Sequence, residues 1–170
     1  VRIEDFNTLP DDEAAAALRA CVGIDSWVHV LTVGRPYDDP AHLLATARAQ
    51  AATWTPAEVE GALADHPRIG ERPTGSGAAA DHSRTEQGGL DPADADLAER
   101  LRAGNLAYEE RFGRIYLVRA KGRSGEELLA LLEQRLGNDP ATELAVTKEQ
   151  LAEIALLRLT DLVEDATVTA

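Results

Sequence analysis

Apolar residues in this chain recur three and four positions apart, and strict alternation is nearly absent. That periodicity suits helices and excludes a sheet with one buried face. The punctuation agrees: Asp39-Pro40, Asp91-Pro92 and Asp139-Pro140 each put a capping side chain before a proline fit for a first helical turn. Thr55-Pro56-Ala57-Glu58 and Ser124-Gly125-Glu126-Glu127 have the form of capping boxes, in which hydroxyl and carboxylate satisfy each other's orphan amides. The pattern predicts helices near 11–21, 25–33, 40–54, 56–65, 82–88, 92–111, 124–136 and 140–164, with Arg114–Arg119 as the one extended piece. The expectation is all-α: a single-domain compact helical bundle of about eight or nine helices over residues 1–170, a length that suits one core.

A formal net charge of −13 argues against nucleic acid and anionic membrane surfaces as partners, since both require a basic face. No apolar run approaches the ~20 residues needed to cross a bilayer. Cys21 is the single cysteine and has no internal disulfide partner, which fits a reducing, cytoplasmic setting. No signal segment opens the chain, and Val168-Thr169-Ala170 is not a peroxisomal tripeptide. The acidic run Asp11-Asp12-Glu13 suits a helix N-terminus and carries no function.

Chemistry is concentrated in a few places. His66-Pro67 follows the helix predicted over 56–65, where proline ends regular hydrogen bonding and holds the histidine extended. Such a histidine is either an acid–base group near neutral pH or a cap on its own helix. Ser83, Glu86 and Gln87 share one face if that segment is helical, offering a hydroxyl, a carboxylate and an amide to a small polar ligand, or to water. Arg158 falls in an apolar stripe of the last helix with Leu144, Leu151, Ala155 and Leu162, so its guanidinium needs an internal carboxylate, such as Glu86 or Glu153, or a ligand's oxygens. His66, His82 and Glu86 include metal-ligand types, yet no recognised ligand spacing accompanies them. His29 and His42 occupy ordinary helix positions, while Trp27, Trp54, Tyr108 and Phe112 read as core. The Gly- and Pro-containing loop Arg72–Ala80 is expected to be mobile unless a ligand orders it.

His66-Pro67-Arg68-Ile69-Gly70 followed by Ser83-Arg84-Thr85-Glu86-Gln87 resembles the 2-oxo-4-hydroxy-4-carboxy-5-ureidoimidazoline (OHCU) decarboxylases of purine breakdown. Phe6-Asn7, Cys21, Trp27-Val28, Arg35-Pro36-Tyr37, Asn105, Tyr108, Arg111-Phe112-Gly113 and Glu153-Ile154-Ala155 with Arg158-Leu159 follow in family-like order, with Tyr37 where the family usually has Phe. The resemblance implies an all-helical homodimer that turns OHCU into (S)-allantoin and carbon dioxide in urate degradation, with no metal or organic cofactor. It also implies a site of His66 and Glu86 as catalytic groups. Pro67, Ser83, Gln87 and Arg158 would bind substrate, with backbone around Phe112, Ile115 and Leu117 completing the pocket.

Overall fold

A computed structural model describes residues 1–71, 78–88 and 94–164. Among them are nine α-helices and no strand: α1 (Ile3–Thr8), α2 (Asp11–Cys21), α3 (Asp25–Val33), α4 (Pro40–Ala51), α5 (Pro56–Ala62), α6 (Ala78–Glu86), α7 (Ala95–Phe112), α8 (Gly125–Arg135) and α9 (Pro140–Glu164). The all-α expectation holds, and the differences are one added helix and several shifted helix ends. Six-residue α1 is too short for periodicity to reveal. A 3₁₀ turn, Leu63–Asp65, finishes α5. Helix α6 starts at Ala78 rather than 82, inside the segment expected to be loop. Helix α7 starts on Asp94, whose carboxylate accepts from the Leu97 amide at 2.9 Å; the Asp91-Pro92 signal lies outside the described residues.

The caps act as their residue types require. The Asp39 carboxylate accepts from the His42 amide at 2.8 Å and that of Asp139 from Thr142 at 2.9 Å. Thr55 and Glu58 close their box in both directions, at 3.0 and 3.2 Å. Ser124 accepts from the Glu127 amide at 3.2 Å. Each such cap is worth about 1 kcal/mol.

The chain divides into two compact units, Val1–Glu58 with Ala152–Ala170 and Val59–Leu151. In the first, Phe6, Leu18, Trp27, Leu31, Leu43 and Leu159 are fully buried. Trp27 meets Trp54 edge-on at 6.5 Å and donates its indole N–H to the Ala47 carbonyl at 3.1 Å. Arg35 donates to the carbonyls of Phe6, Leu9 and Thr32 at 3.0, 2.7 and 3.0 Å, closing the ends of α1 and α3. The Asn7 amide exchanges two 2.8 Å bonds with the Tyr37 backbone.

In the second unit, Ile69, Leu97, Leu101, Tyr108, Tyr116, Leu128 and Leu132 form the core. Gly104 lets α7 approach α8, because a Cβ there would collide with the Leu132 side chain. Gly113 ends α7 in the left-handed region at φ 70°, releasing an irregular segment over residues 115–120.

That core also encloses an ion pair. Glu143 is fully buried and receives Arg135 through Nε at 2.8 Å and Nη2 at 2.5 Å, with the Tyr108 hydroxyl donating to the same oxygen at 2.5 Å. Asn138 donates to its other oxygen at 3.1 Å. Burial, and then the bond to Glu143, raises the Tyr108 pKa; burial likewise raises that of Tyr116. Because both charges are desolvated, removing one should cost far more than removing both. Glu143→Ala is expected to lose about 3–5 kcal/mol in urea unfolding, and Arg135→Met with Glu143→Leu should recover most of it.

Candidate active site

His66 leaves the 3₁₀ turn with extended backbone, φ −108° and ψ 133°, its amide donating to the Leu63 carbonyl at 3.1 Å. Pro67 enforces this by excluding helical backbone at the residue before it. The loop that follows is tied down residue by residue. The Arg68 guanidinium pairs with Glu109 at 2.8 Å. The Ile69 carbonyl accepts from Asn105 Nδ2 at 2.9 Å while its side chain enters the core. Gly70, at φ 90°, turns its amide onto Gln87 Oε1 at 3.1 Å.

The last bond joins the His66 loop to the end of α6. Ser83 lies on α6 and is buried, Glu86 is its last residue, and Gln87 continues the turn with its amide donating to the Ser83 carbonyl at 3.2 Å. Glu86 and Gln87 are half-buried. Gly70 offers an N–H, so Gln87 must face it with its carbonyl oxygen. Its amide NH₂ is thereby turned away from Gly70.

Phe112 is half-buried at the end of α7 and packs on Tyr108 at 4.7 Å. Ile115 borders a groove of about 290 Å³ with Glu60, Leu63, Ala64, Gly113 and Arg114. Leu117 is buried, and its carbonyl oxygen accepts from Arg135 Nη1 at 2.7 Å. Tyr116 reaches the Leu128 carbonyl at 3.0 Å, and the Arg119 amide reaches Gln150 at 3.0 Å. The segment is therefore held by side chains rather than by a neighbouring strand.

Arg158 belongs to the first unit. It is 3 % exposed on a buried face of α9 that also carries Leu151, Ala155 and Leu159, with Leu144 and Leu162 only half-buried. Its Nη1 donates to the Cys21 carbonyl at 3.3 Å. That backbone oxygen is one partner of the guanidinium. Among the described residues no group of three or more His, Cys, Asp or Glu side chains could hold a metal ion, so His66, His82 and Glu86 are not gathered as ligands.

The model of the OHCU decarboxylase family matches residues 7–160. The chain belongs to that family. It is 35 % identical over 133 residues to 2-oxo-4-hydroxy-4-carboxy-5-ureidoimidazoline decarboxylase of Amia calva, covering 77 % of this chain and 76 % of the relative. The Mus musculus protein of the same name is 34 % identical over 105 residues, covering 61 % of this chain and 59 % of its own. A crystal structure of OHCU decarboxylase in the presence of (S)-allantoin shares the fold, with a TM-score of 0.75 at 24 % identity over 92 % of this chain and 100 % of that one.

Several residues that carry the resemblance to OHCU decarboxylases have structural work here. Asn7, Arg35 and Tyr37 fasten α1 to the turn after α3, and Tyr108 binds the buried carboxylate. Asn105 carries the resemblance without a role attached to it, and no motif marks the buried pair Arg135 and Glu143. Each sits on a buried helix face, Asn105 beside Leu101 and Tyr108, Arg135 beside Leu128 and Leu132, Glu143 beside Thr147 and Leu151. Like Arg158, each is a polar group inside an apolar stripe, which is the signal in the sequence that marks it. Breaking the Gly70 bond with Gln87→Leu should speed hydrogen exchange at the Gly70 amide while amides within α7 keep their protection, as mass spectrometry or NMR can measure.

Proposed function

We propose that this protein converts OHCU to (S)-allantoin and carbon dioxide in urate degradation, with residues 1–170 acting as one domain and without metal or organic cofactor. The observation that carries the reading is the family match over residues 7–160. The His66 loop is bonded through the Gly70 amide to Gln87, just past the end of α6, the helix that also carries Ser83 and Glu86, and this tie supports the reading.

The chemistry needs little from the protein. OHCU carries a carboxylate and a hydroxyl on one ring carbon, beside an imine-like bond. As the carbon–carboxyl bond breaks, its electron pair moves into the ring, so the substrate is its own electron sink. The ring nitrogen that receives the pair takes up a proton, so for each substrate anion one carbon dioxide leaves and one proton is taken up. The hydroxyl then loses its proton and the neighbouring carbon gains one. The protein must orient the ring, stabilise developing charge and deliver that proton to one face.

In this reading His66 and Glu86 handle the two protons, with Pro67 setting the histidine's backbone. Ser83 and Gln87 bind the ureido and ring amide groups, the Gln87 NH₂ addressing a carbonyl oxygen. Arg158 takes a substrate oxygen, for which its standing as a buried cation is the support. Backbone at Phe112, Ile115 and Leu117 completes the contacts. A cytoplasmic homodimer belongs to the same reading, and light scattering should give twice the 18.2 kDa chain mass.

The test generates OHCU in place from urate with urate oxidase and hydroxyisourate hydrolase, then follows its decay and the optical activity of the product. Faster decay to a single enantiomer is expected; decay at the spontaneous rate to a racemate would overturn the assignment. His66→Ala should lower kcat by about 10²–10⁴ and leave the helical signal intact, the usual worth of general acid–base assistance.

A further inference from the structure

Asn105 is 4 % exposed on α7, and among the described residues its amide makes one hydrogen bond, from Nδ2 to the Ile69 carbonyl at 2.9 Å. Its Oδ1 is buried and meets no hydrogen-bond partner among the described residues. A buried amide whose acceptor goes unused contributes little to stability, because the desolvation of the idle oxygen offsets the bond that is made. A leucine of similar shape would suit the buried face of α7 that carries Leu101 and Tyr108, at the cost of the donor to the Ile69 carbonyl. What leucine cannot do is hold a carbonyl three residues beyond His66.

The other ties on this loop are weaker or act further along it. The Arg68–Glu109 pair is partly open to solvent, so water and salt screen it. The Gly70–Gln87 bond fixes the far end of the turn. Asn105 is the buried anchor between them.

We propose that Asn105 is a positioning residue: by gripping the Ile69 carbonyl from α7 it sets where the His66 imidazole stands, without touching the substrate itself. This rests on the reading of His66 as a proton-transfer group. Displacing such a group by about an ångström costs up to about a hundredfold in rate.

The experiment compares Asn105→Leu, and Asn105→Ser as a smaller variant too short to reach Ile69, with wild type and His66→Ala. It measures kcat and KM, the urea unfolding midpoint, and the imidazole NMR signals. The expected result is a fall in kcat of about tenfold or more with KM little changed, in an Asn105→Leu protein that still unfolds cooperatively although its midpoint is lowered by the unpaired Ile69 carbonyl. The His66 signal moves, while those of His29 and His42, which lie on α3 and α4, stay in place. Unchanged kcat with an unmoved His66 signal in a folded variant would overturn the proposal, as would a loss of kcat with that signal unmoved. Wild-type turnover by His66→Ala would instead overturn the reading of His66 on which the proposal rests.

Discussion

An all-helical chain satisfies most of its backbone inside its helices, so its irregular stretches must find partners elsewhere. With no strand among the described residues to offer them, side chains have to supply those bonds. This need accounts for the polar residues in the interior of both units. In the first, Arg35 and Asn7 serve the turn after α3 and the end of α1. In the second, Asn105 and Gln87 serve the His66 loop, while Arg135 and Gln150 serve the segment after Gly113.

The same need links stability to chemistry. Arg135 does two jobs with one guanidinium: it neutralises buried Glu143 and fixes the Leu117 carbonyl. Neither charge would be tolerable alone at that depth. A segment proposed to meet substrate through its backbone is thus held by a network that also organises the core. The His66 loop follows the same logic with neutral amides, whose fixed donor and acceptor ends dictate which group faces which.

How much of this was legible in the residues depends on range. Helix starts were, since Thr55 with Glu58 and Asp39 before Pro40 act over three residues and need no tertiary partner. The extended backbone of His66 was too, because Pro67 imposes it locally. Helix α1 and the early start of α6 were not. A six-residue helix holds too few periods to register, and α6 opens on alanines that carry no cap signal.

The sequence by itself determined the all-α class, the helix punctuation and the family, and it marked His66, Ser83, Glu86, Gln87 and Arg158 as the residues to examine. These are consequences of short-range sterics, of capping chemistry and of motif order. Only the tertiary structure decided what the polar groups bind. It put Gly70 on Gln87, Ile69 on Asn105, Leu117 on Arg135 and Cys21 on Arg158. The reason is physical. A hydrogen bond acts over about 3 Å, and its partner is chosen by which helix faces pack together, not by distance along the chain.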